Sequence, residues 1–415
     1  MEEAVDIKQS SILDTQLVHD HFLAIGKSRN YPIAAWRLPD DDVQHIIMDV
    51  SGEVKLVDIE LETMPPGFIV SPFAKDFSQE ASKANFIYAD LHYDSRSRSI
   101  QANSLNRNGR ADAENIKSQI LNAIENHKEI HPEQEEGVTY ELKRNQQMSH
   151  EAFLKLIEDA KEQIKDQRFK KVVPSRCQYV RLPDDFNIAA TFQRMCNTYP
   201  HAFVSVIAMP ELGVWLGASP EILVKTFVQD GQKMFSTMAL AGTQKLDEEN
   251  NVKNAAWRGK EIEEQAMVSR YIINCFKRIR LREFDEDGPH TVEAGNLLHL
   301  RTDFTVNMDV VNFPELGSVM LKLLHPTSAV CGLPKEPALQ FIDQHEHYDR
   351  ELFAGFLGPV NINEEVNIFV NLRCMQLQGT KALIYAGAGV TADSEPEREW
   401  IETSIKMETL KKVLY

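Results

Sequence analysis

Residues 371–415 read NLRCMQLQGTKALIYAGAGVTADSEPEREWIETSIKMETLKKVLY. The segment predicts two strands joined by a hairpin, a glycine-rich turn and a final acidic helix. Arg373 and the backbone N–H groups around Gly387-Ala388-Gly389 suit a carboxylate ligand. The clustered glutamates of the helix suit a hard divalent cation. Together they predict a site for a small organic acid held through a metal.

The final helix has a predicted start and one predicted polar face. Ser394 is followed three residues later by Glu397, which predicts a capping box with the serine as N-cap. Helical spacing places Glu399, Glu402 and Lys406 on the same face. From periodicity alone, the favoured interpretation of this face is solvated surface with an ordinary Glu–Lys pair.

Composition restricts the class of protein. The chain has 415 residues, 43% hydrophobic and 26% charged, which is typical of a globular protein with a large core. Its net charge of −17 argues against binding to nucleic acid or to anionic membranes. Five cysteines without a CxxC pair favour a reducing compartment. With no signal-peptide pattern and no apolar run near roughly 18 residues, the expected location is cytoplasmic.

The pattern of elements predicts one large α+β fold with central antiparallel sheets flanked by helices. Residues 1–145 are interpreted as a variable N-terminal part and residues 146–415 as the catalytic region. Residues 94–136 predict loop, helix and loop, residues 222–240 a hairpin, and residues 254–279 a long amphipathic helix. Hairpin-joined strands with inserted helices favour α+β over a doubly wound parallel sheet.

Five further residues are candidates for chemistry, each with a plainer alternative. Glu261 and Glu264 share a face of the long helix. They are either surface charge or a second pair of carboxylates beside Mg²⁺. Lys171 opens an apolar strand and either snorkels outward or is buried, where a neutral amine is a general-base candidate. Glu221 follows a tight turn, on the surface or aimed into a cleft. His325 follows a helix, where a structural role is favoured.

The order and spacing of eight motifs resemble the chorismate-utilising enzymes, namely the isochorismate, salicylate, anthranilate and aminodeoxychorismate synthases. The resemblance covers residues 145–415 well and the N-terminal part loosely. The matching segments are KVVPSR (171–176), LGASPEIL (216–223), LAGT (240–243), KEIEEQ (260–265), HPTSAVCGLP (325–334), DRELFAG (349–355), NLR (371–373) and AGAGVTADSEPEREWIETSIK (386–406).

The resemblance implies a Mg²⁺ cofactor that grips the carboxylate on the ring of the substrate, chorismate. It implies Glu264 and Glu402 as the metal ligands, with Glu261 and Glu399 as supporting carboxylates. Arg373 would bind the enolpyruvyl carboxylate. The residues that the resemblance implies for substrate binding are Ala241, Gly242, Thr243, His325, Phe353, Arg373, Gly387, Ala388, Gly389 and Lys406.

Two positions select the branch of the family. Members that add water carry a lysine where this chain has Lys171, whereas anthranilate synthases have glutamine there. Aminodeoxychorismate synthases carry a nucleophilic lysine where this chain has Ala241. The resemblance therefore implies an isochorismate synthase, an isomerase with Lys171 as general base and Glu221 as general acid, and no obligatory glutamine amidotransferase. Its product would feed menaquinone or catecholate siderophore synthesis.

Two alternatives remain open at the level of sequence. A salicylate synthase would make isochorismate and then eliminate pyruvate in the same site. A non-catalytic homologue would act as a binding subunit. Four residues depart from the family pattern: Pro174, Gln265, Glu351 and Phe353. Phe353 replaces a tyrosine whose hydroxyl assists the enolpyruvyl carboxylate, which implies weaker affinity for the substrate.

Overall fold

A computed structural model describes residues 13–73, 83–103, 110–126, 147–246, 251–294 and 297–415. The expected boundary at residue 145 lies outside these residues. The helices of the described chain are α1 (Thr15–Arg29), α2 (Arg110–Glu125), α3 (His150–Lys165), α4 (Ile188–Thr198), α5 (Gly259–Arg278), α6 (Leu316–Leu324), α7 (Lys335–His345) and α8 (Pro396–Leu414).

The strands of the N-terminal part are β1 (Ile33–Arg37), β2 (Gln44–Met48), β3 (Lys55–Asp58), β4 (Gly67–Ser71), β5 (Lys83–Tyr88), β6 (Leu91–Asp94) and β7 (Ser99–Ala102). The later strands are β8 (Lys171–Val172), β9 (Ser175–Arg181), β10 (Phe203–Met209), β11 (Gly213–Ser219), β12 (Ile222–Gln229), β13 (Gln232–Lys245), β14 (Asp285–Ala294), β15 (Leu297–Asn307), β16 (Gly332–Leu333), β17 (Phe356–Val360), β18 (Val366–Val370), β19 (Cys374–Gln378) and β20 (Lys381–Gly387).

Two nine-stranded sheets form the centre of the described structure. The first has the order β7-β6-β2-β1-β10-β11-β19-β20-β9, and the second has the order β14-β15-β13-β12-β18-β17-β4-β5-β3. Neighbouring strands pair antiparallel, as β1 does with both β2 and β10. A short ladder joins β8 to β16. The predicted α+β class with antiparallel sheets is confirmed.

Alternation along the strands buries both faces of the first sheet. In β1, Ala34 and Trp36 join the core between the sheets, whereas Ile33 and Ala35 join the core beneath α1, α2, α4 and α8. The two sheets meet through aromatic rings: Phe203 of β10 stacks on Phe369 of β18 with centroids 4.1 Å apart. On the outer face of the second sheet, α5 packs against β13 and α6 against β12. The layers are therefore helices, sheet, sheet and helices.

The chain crosses between the two sheets at two adjacent points. Pro220 and Glu221 connect β11 of the first sheet to β12 of the second. Residues 371–373 connect β18 of the second sheet back to β19 of the first. The N–H of Val370 donates to the carbonyl of Glu221 at 3.0 Å, which fixes the two crossings side by side. Residues at these crossings can thus face one space between the sheets.

Several local predictions are confirmed and others are wrong. The hairpin of residues 222–240 forms as β12 and β13. Residues 99–102, predicted as loop, form β7, because they pair with β6 and complete the edge of the first sheet. The long helix begins at Gly259 rather than at residue 254. No helix in the described ranges is long and apolar enough to cross a membrane.

The predicted capping box at the last helix is wrong. Glu395 is the N-cap of α8, and it makes no side-chain cap hydrogen bond. The hydroxyl of Ser394 instead accepts the backbone N–H of Thr391 at 3.1 Å, so it closes the turn before the helix. Because Pro396 occupies the first turn, one N–H that would need a cap is already absent.

Candidate active site

A cleft lies at the crossings between the two sheets. The space between its walls is about 670 Å³, a figure that includes space open to solvent. Ten of the residues predicted from the sequence line it, namely Glu221, Ala241, Gly242, Thr243, Glu264, Phe353, Arg373, Gly387, Gly389 and Lys406. Six predicted residues lie outside this lining, namely Lys171, Glu261, His325, Ala388, Glu399 and Glu402.

Lys171 lies directly behind the wall of the cleft. Its side chain is 1% exposed, and Nζ is 2.7 Å from Oε1 of the lining residue Glu264. Burial opposes ionisation of Glu264, but Lys171, Lys406 and Lys260 outweigh it and lower the pKa of that carboxyl. The sequence alternative in which Lys171 snorkels to solvent is therefore wrong.

Glu221 lines the cleft as a buried carboxyl group, 3% exposed. Burial raises the pKa of Glu221 to about 7, against the lowering effects of Thr327, Lys171 and Arg373. The hydroxyl of Thr327 donates to Oε1 at a long 3.4 Å, so it stabilises the charged form weakly. A carboxyl group with this pKa can hold a proton near neutral pH and release it within the cleft.

Arg373 supplies positive charge to the cleft. It lies at the second crossing with φ 48°, in the left-handed region, which turns the chain between the two sheets. Burial lowers the pKa of Arg373 to about 10, although Glu402 and Glu221 favour its charged form. Among the described residues its guanidinium makes no ion pair within 4.0 Å. An unpaired, half-buried guanidinium suits a carboxylate ligand.

Lys406 joins the last helix to the last strand. Its Nζ is 2.6 Å from Oε1 of Glu402 and donates to the carbonyl of Gly387 at 2.9 Å. The one-turn spacing predicted from the sequence is thus realised as an ion pair. The expected run of open N–H groups is wrong at Ala388, because this amide donates to the carbonyl of Pro174 at 3.0 Å.

The acidic faces of α5 and α8 meet beside the cleft. Glu399 is 1% exposed, and Lys260 lies 2.7 Å from its Oε1. Burial and the neighbouring Glu402 raise the pKa of Glu399, although Lys260 opposes them. Its other oxygen, Oε2, has no hydrogen-bond partner within the described chain. Glu261 has a different role, since its carboxylate accepts the N–H of Arg258 at 3.0 Å and closes the first turn of α5.

These carboxylates fit Mg²⁺. In the part of the chain that the structure describes, no three His, Cys, Asp or Glu side chains converge as a metal site. Mg²⁺ commonly takes only one or two carboxylates and completes its shell with water and substrate oxygens. The buried oxygen of Glu399 without a partner among the described residues is a polar group that a bound cation or its water would satisfy. Glu264 and Glu402 would hold the ion, with Glu399 in support.

The histidine of the cleft is His299, not the predicted His325. The ring of His325 packs edge-on against Phe356, 4.9 Å between centroids, at the end of α6, as the structural alternative predicted. His299 lines the cleft, and its Nδ1 donates to the carbonyl of Gly242 at 2.6 Å. Burial lowers the pKa of His299 to about 3, so the ring is neutral, and Nε2 remains an acceptor without a described partner. The sequence contains one indication of this role, because His299 is the lone polar residue in the buried run Leu297–Leu300.

Two of the departures from the family pattern have clear structural settings. Gln265 faces the second sheet rather than the cleft, because its amide donates to the carbonyl of Ala239 and to the hydroxyl of Thr302. Glu351 has φ 47°, in the left-handed region that favours glycine.

A family model described as "Chorismate binding enzyme" matches residues 74–415. The chain belongs to this family. This chorismate-binding enzyme is 29% identical over 245 residues to isochorismate synthase EntC of Escherichia coli K12, a match that covers 58% of this chain and 61% of that protein. The chain thus spans about three fifths of the length of this relative.

Solved structures of the family share the fold. MenF, the menaquinone-specific isochorismate synthase from Escherichia coli, superposes with a TM-score of 0.70 at 23% identity, covering 98% of this enzyme and 92% of that chain. Anthranilate synthase component I from Streptococcus pneumoniae TIGR4 superposes with a TM-score of 0.64 at 19% identity, covering 99% and 95%. At these identities the likeness concerns the fold.

Proposed function

We propose that this chorismate-binding enzyme is an isochorismate synthase, an isomerase that interconverts chorismate and isochorismate. One observation carries the proposal: a buried glutamate with a pKa of about 7, Glu221, lines the cleft, and a buried lysine, Lys171, lies behind its wall and reaches the lining residue Glu264. Ala241 lines the same cleft. A lysine at this position would act as a nucleophile and would indicate the aminodeoxychorismate branch instead. A base for water and an acid for a leaving hydroxyl are therefore both present.

The reaction needs one proton removed and one supplied. In its neutral form, Lys171 takes a proton from water as the oxygen forms a bond to C2 of the ring. The bond from C4 to its hydroxyl breaks while the ring double bonds shift. Protonated Glu221 gives its proton to the departing hydroxyl, which leaves as water. One water is consumed and one is released, so the net change is an isomerisation.

Other residues hold the substrate between these two groups. Arg373 binds the enolpyruvyl carboxylate, and Lys406 balances charge near the ring carboxylate. Bound Mg²⁺, held by Glu264 and Glu402, would offset the ring carboxylate charge. The neutral ring of His299 offers an acceptor to a substrate hydroxyl.

The decisive experiment is product identification. We expect the purified chain with chorismate and Mg²⁺ to form isochorismate that reverts to chorismate on prolonged incubation. Release of salicylate and pyruvate would instead assign a salicylate synthase. Mg²⁺-dependent binding of chorismate without turnover would assign a binding subunit. Anthranilate formed only with an added glutaminase would contradict the proposal as well.

Restoring a hydroxyl at Phe353 is expected to tighten substrate binding. Phe353 lines the cleft, and its ring stacks on Tyr385 with centroids 5.5 Å apart, which orients the ring. A new hydrogen bond to a carboxylate corresponds to about a tenfold change in affinity. Steady-state kinetics of Phe353→Tyr should show a lower KM at nearly constant kcat. An unchanged KM would show that a hydroxyl at this position makes no contact with the substrate.

Adding a methyl group at Gly389 is expected to impair catalysis. A Cβ there would lie 2.6 Å from Oε1 of Glu264 and 3.1 Å from Cε of Lys171, so the ion pair must shift. A displacement of this size can reduce the rate about 10²-fold. The measurement is kcat of Gly389→Ala. Gly259→Ala is the control, because a Cβ at that position meets nothing within 4 Å; equal rates for the two variants would contradict the prediction.

A further inference from the structure

The cleft has a second buried ion pair, which the proposed reaction does not use. Glu346 and Arg350, one turn apart, are each 1% exposed and lie 2.6 Å apart at their closest atoms. Nε of Arg350 also donates to Oε2 of Glu346 at 2.8 Å, so the pair has two hydrogen bonds. Arg350 lines the cleft, whereas Glu346 lies behind it. Removing two charges from water is costly, so this pair is not explained by stability alone.

The pair faces the place where the strand that carries Lys171 is interrupted. The strand β8 ends at Val172 and β9 begins at Ser175, which leaves Val173 and Pro174 between the two ladders. Pro174 has no N–H to donate. Because Val173 and Ser175 are buried, the backbone groups at this break need partners from elsewhere.

Side chains supply two of those partners. Arg350 donates from Nη2 to the carbonyl of Val173 at 2.7 Å and from Nη1 to the carbonyl of Val330 at 3.0 Å. Glu346 accepts the backbone N–H of Ser175 at 2.7 Å and its hydroxyl at 3.1 Å. The carboxylate and the guanidinium therefore stand in for the sheet hydrogen bonds on both sides of Pro174.

The rest of the break is held by backbone partners. The N–H of Val173 donates to the carbonyl of Cys331 at 2.9 Å, and the carbonyl of Pro174 accepts from Ala388 at 3.0 Å. Every backbone donor and acceptor from Val173 to the N–H of Ser175 is thus satisfied. Among the described residues, the ion pair makes the only side-chain hydrogen bonds to these backbone groups.

We propose that the Glu346–Arg350 pair is the positioning unit for Lys171: it fixes the break between β8 and β9 and thereby the line along which the lysine reaches Glu264. Lys171 lies two residues before Val173, in a strand of only two residues. Main-chain bonds hold the strand itself, from the N–H of Lys170 to the carbonyl of Leu333 at 2.7 Å and from the N–H of Val172 to the carbonyl of Val390 at 3.1 Å. The ion pair holds the chain that follows it. The inference rests on the proposed role of Lys171 as the base.

The geometry also explains why an arginine is needed. A guanidinium presents a rigid fork of donors, and here one fork reaches the carboxylate and two carbonyl oxygens at once. A lysine at position 350 can keep the charge beside Glu346 but cannot span both carbonyls. Arg350→Lys therefore removes the positioning contacts and retains the charge.

We expect Arg350→Lys to lower kcat about 10²-fold, with the KM for chorismate changed only a few-fold. The matched control is Arg37→Lys. Arg37 is also buried, 3% exposed, and also donates to backbone carbonyls, those of Cys196, Tyr199 and Pro200, but it does not line the cleft. Arg37→Lys should lower the melting temperature while kcat stays near that of the wild type. Equal losses of kcat in both variants would overturn the inference, because they would reflect general loosening.

A milder variant covers the case in which Arg350→Lys does not fold. The hydroxyls of Tyr348 and Ser175 are 2.5 Å apart, so Tyr348→Phe removes one contact at the break and leaves the ion pair in place. We expect kcat to fall a few-fold with a small change in melting temperature. An unchanged kcat in a folded Tyr348→Phe would overturn the inference.

A readout without activity separates this inference from the proposed function. Amide hydrogen exchange at Val173 and Ser175 should be slow in the wild type and faster in Arg350→Lys, but not in Arg37→Lys. Unchanged exchange would overturn the positioning unit even where isochorismate is formed. Faster exchange in a chain that forms no isochorismate would leave the unit in place and reject the proposed function.

Discussion

Lys171→Ala is expected to abolish isochorismate formation, with a loss of about 10⁴-fold in kcat. The side chain is 1% exposed and 2.7 Å from Glu264, and alanine leaves no basic group at this position. Binding of chorismate with Mg²⁺ should remain measurable, because Arg373 and Lys406 are untouched. The measurement pairs single-turnover kinetics with calorimetric binding.

The control for this change is a second lysine outside the cleft. Lys335 donates from Nζ to the carbonyl of His325 at 2.8 Å, and burial lowers the pKa of Lys335. Lys335→Ala should cost stability and leave kcat near the wild-type value. Lys171→Met keeps the length of the side chain and should behave as Lys171→Ala does. Isochorismate production that persists in either Lys171 variant would remove this residue from the mechanism.

Glu221→Gln is expected to reduce kcat about 10³- to 10⁴-fold and, at the same time, to stabilise the fold at alkaline pH. The amide has the shape of the carboxyl group but cannot donate its proton to the leaving hydroxyl. Because burial raises the pKa of Glu221 to about 7, wild-type kcat should fall as pH rises through that value. Chorismate turnover of both proteins between pH 5 and 9 measures the loss of kcat in the variant and the fall of wild-type kcat with pH.

The change in stability follows from proton linkage. Between pH 4.5 and about 7, native Glu221 holds a proton that the unfolded chain has released. Raising the pH through this window therefore lowers the free energy of unfolding, by about 3 kcal/mol at most. Glutamine carries no charge at any pH and avoids this loss. Thermal melts of both proteins at pH 5 and pH 8 provide the test. If Glu221→Gln differs in stability from the wild type by the same amount at both pH values, Glu221 is already charged at pH 5.

Local spacing in the sequence predicted the contacts that a single element determines. Glu402 and Lys406 are one helical turn apart, and they pair at 2.6 Å. The hairpin of residues 222–240 depends only on its turn and on alternation, and it forms as predicted. The motifs, in their order, indicated the family because each one carries several residues at fixed spacing.

Contacts between distant segments could not be predicted from residue spacing. Lys171 and Glu264 are 93 positions apart, and only the docking of α5 beside β8 brings them together. The choice between His299 and His325 depends on the pairing of β13 with β15 and on the irregularity after Ala241, which no local pattern contains. Ser394 has the residue type of a cap, but the turn before α8 already uses its hydroxyl.

The arrangement of the N-terminal strands has a consequence for synthesis and folding. β1 lies between β2 and β10, and β4 lies between β5 and β17, so early and late parts of the chain complete the same two sheets. A fragment that starts near residue 146 would expose the open edges of β10 and β17, which favours intermolecular strand pairing. Native pairings across such sequence separations also form slowly. The nascent N-terminal strands must therefore wait for β10 and β17 to be synthesised, and during this interval the chain is most exposed to aggregation and most dependent on chaperones.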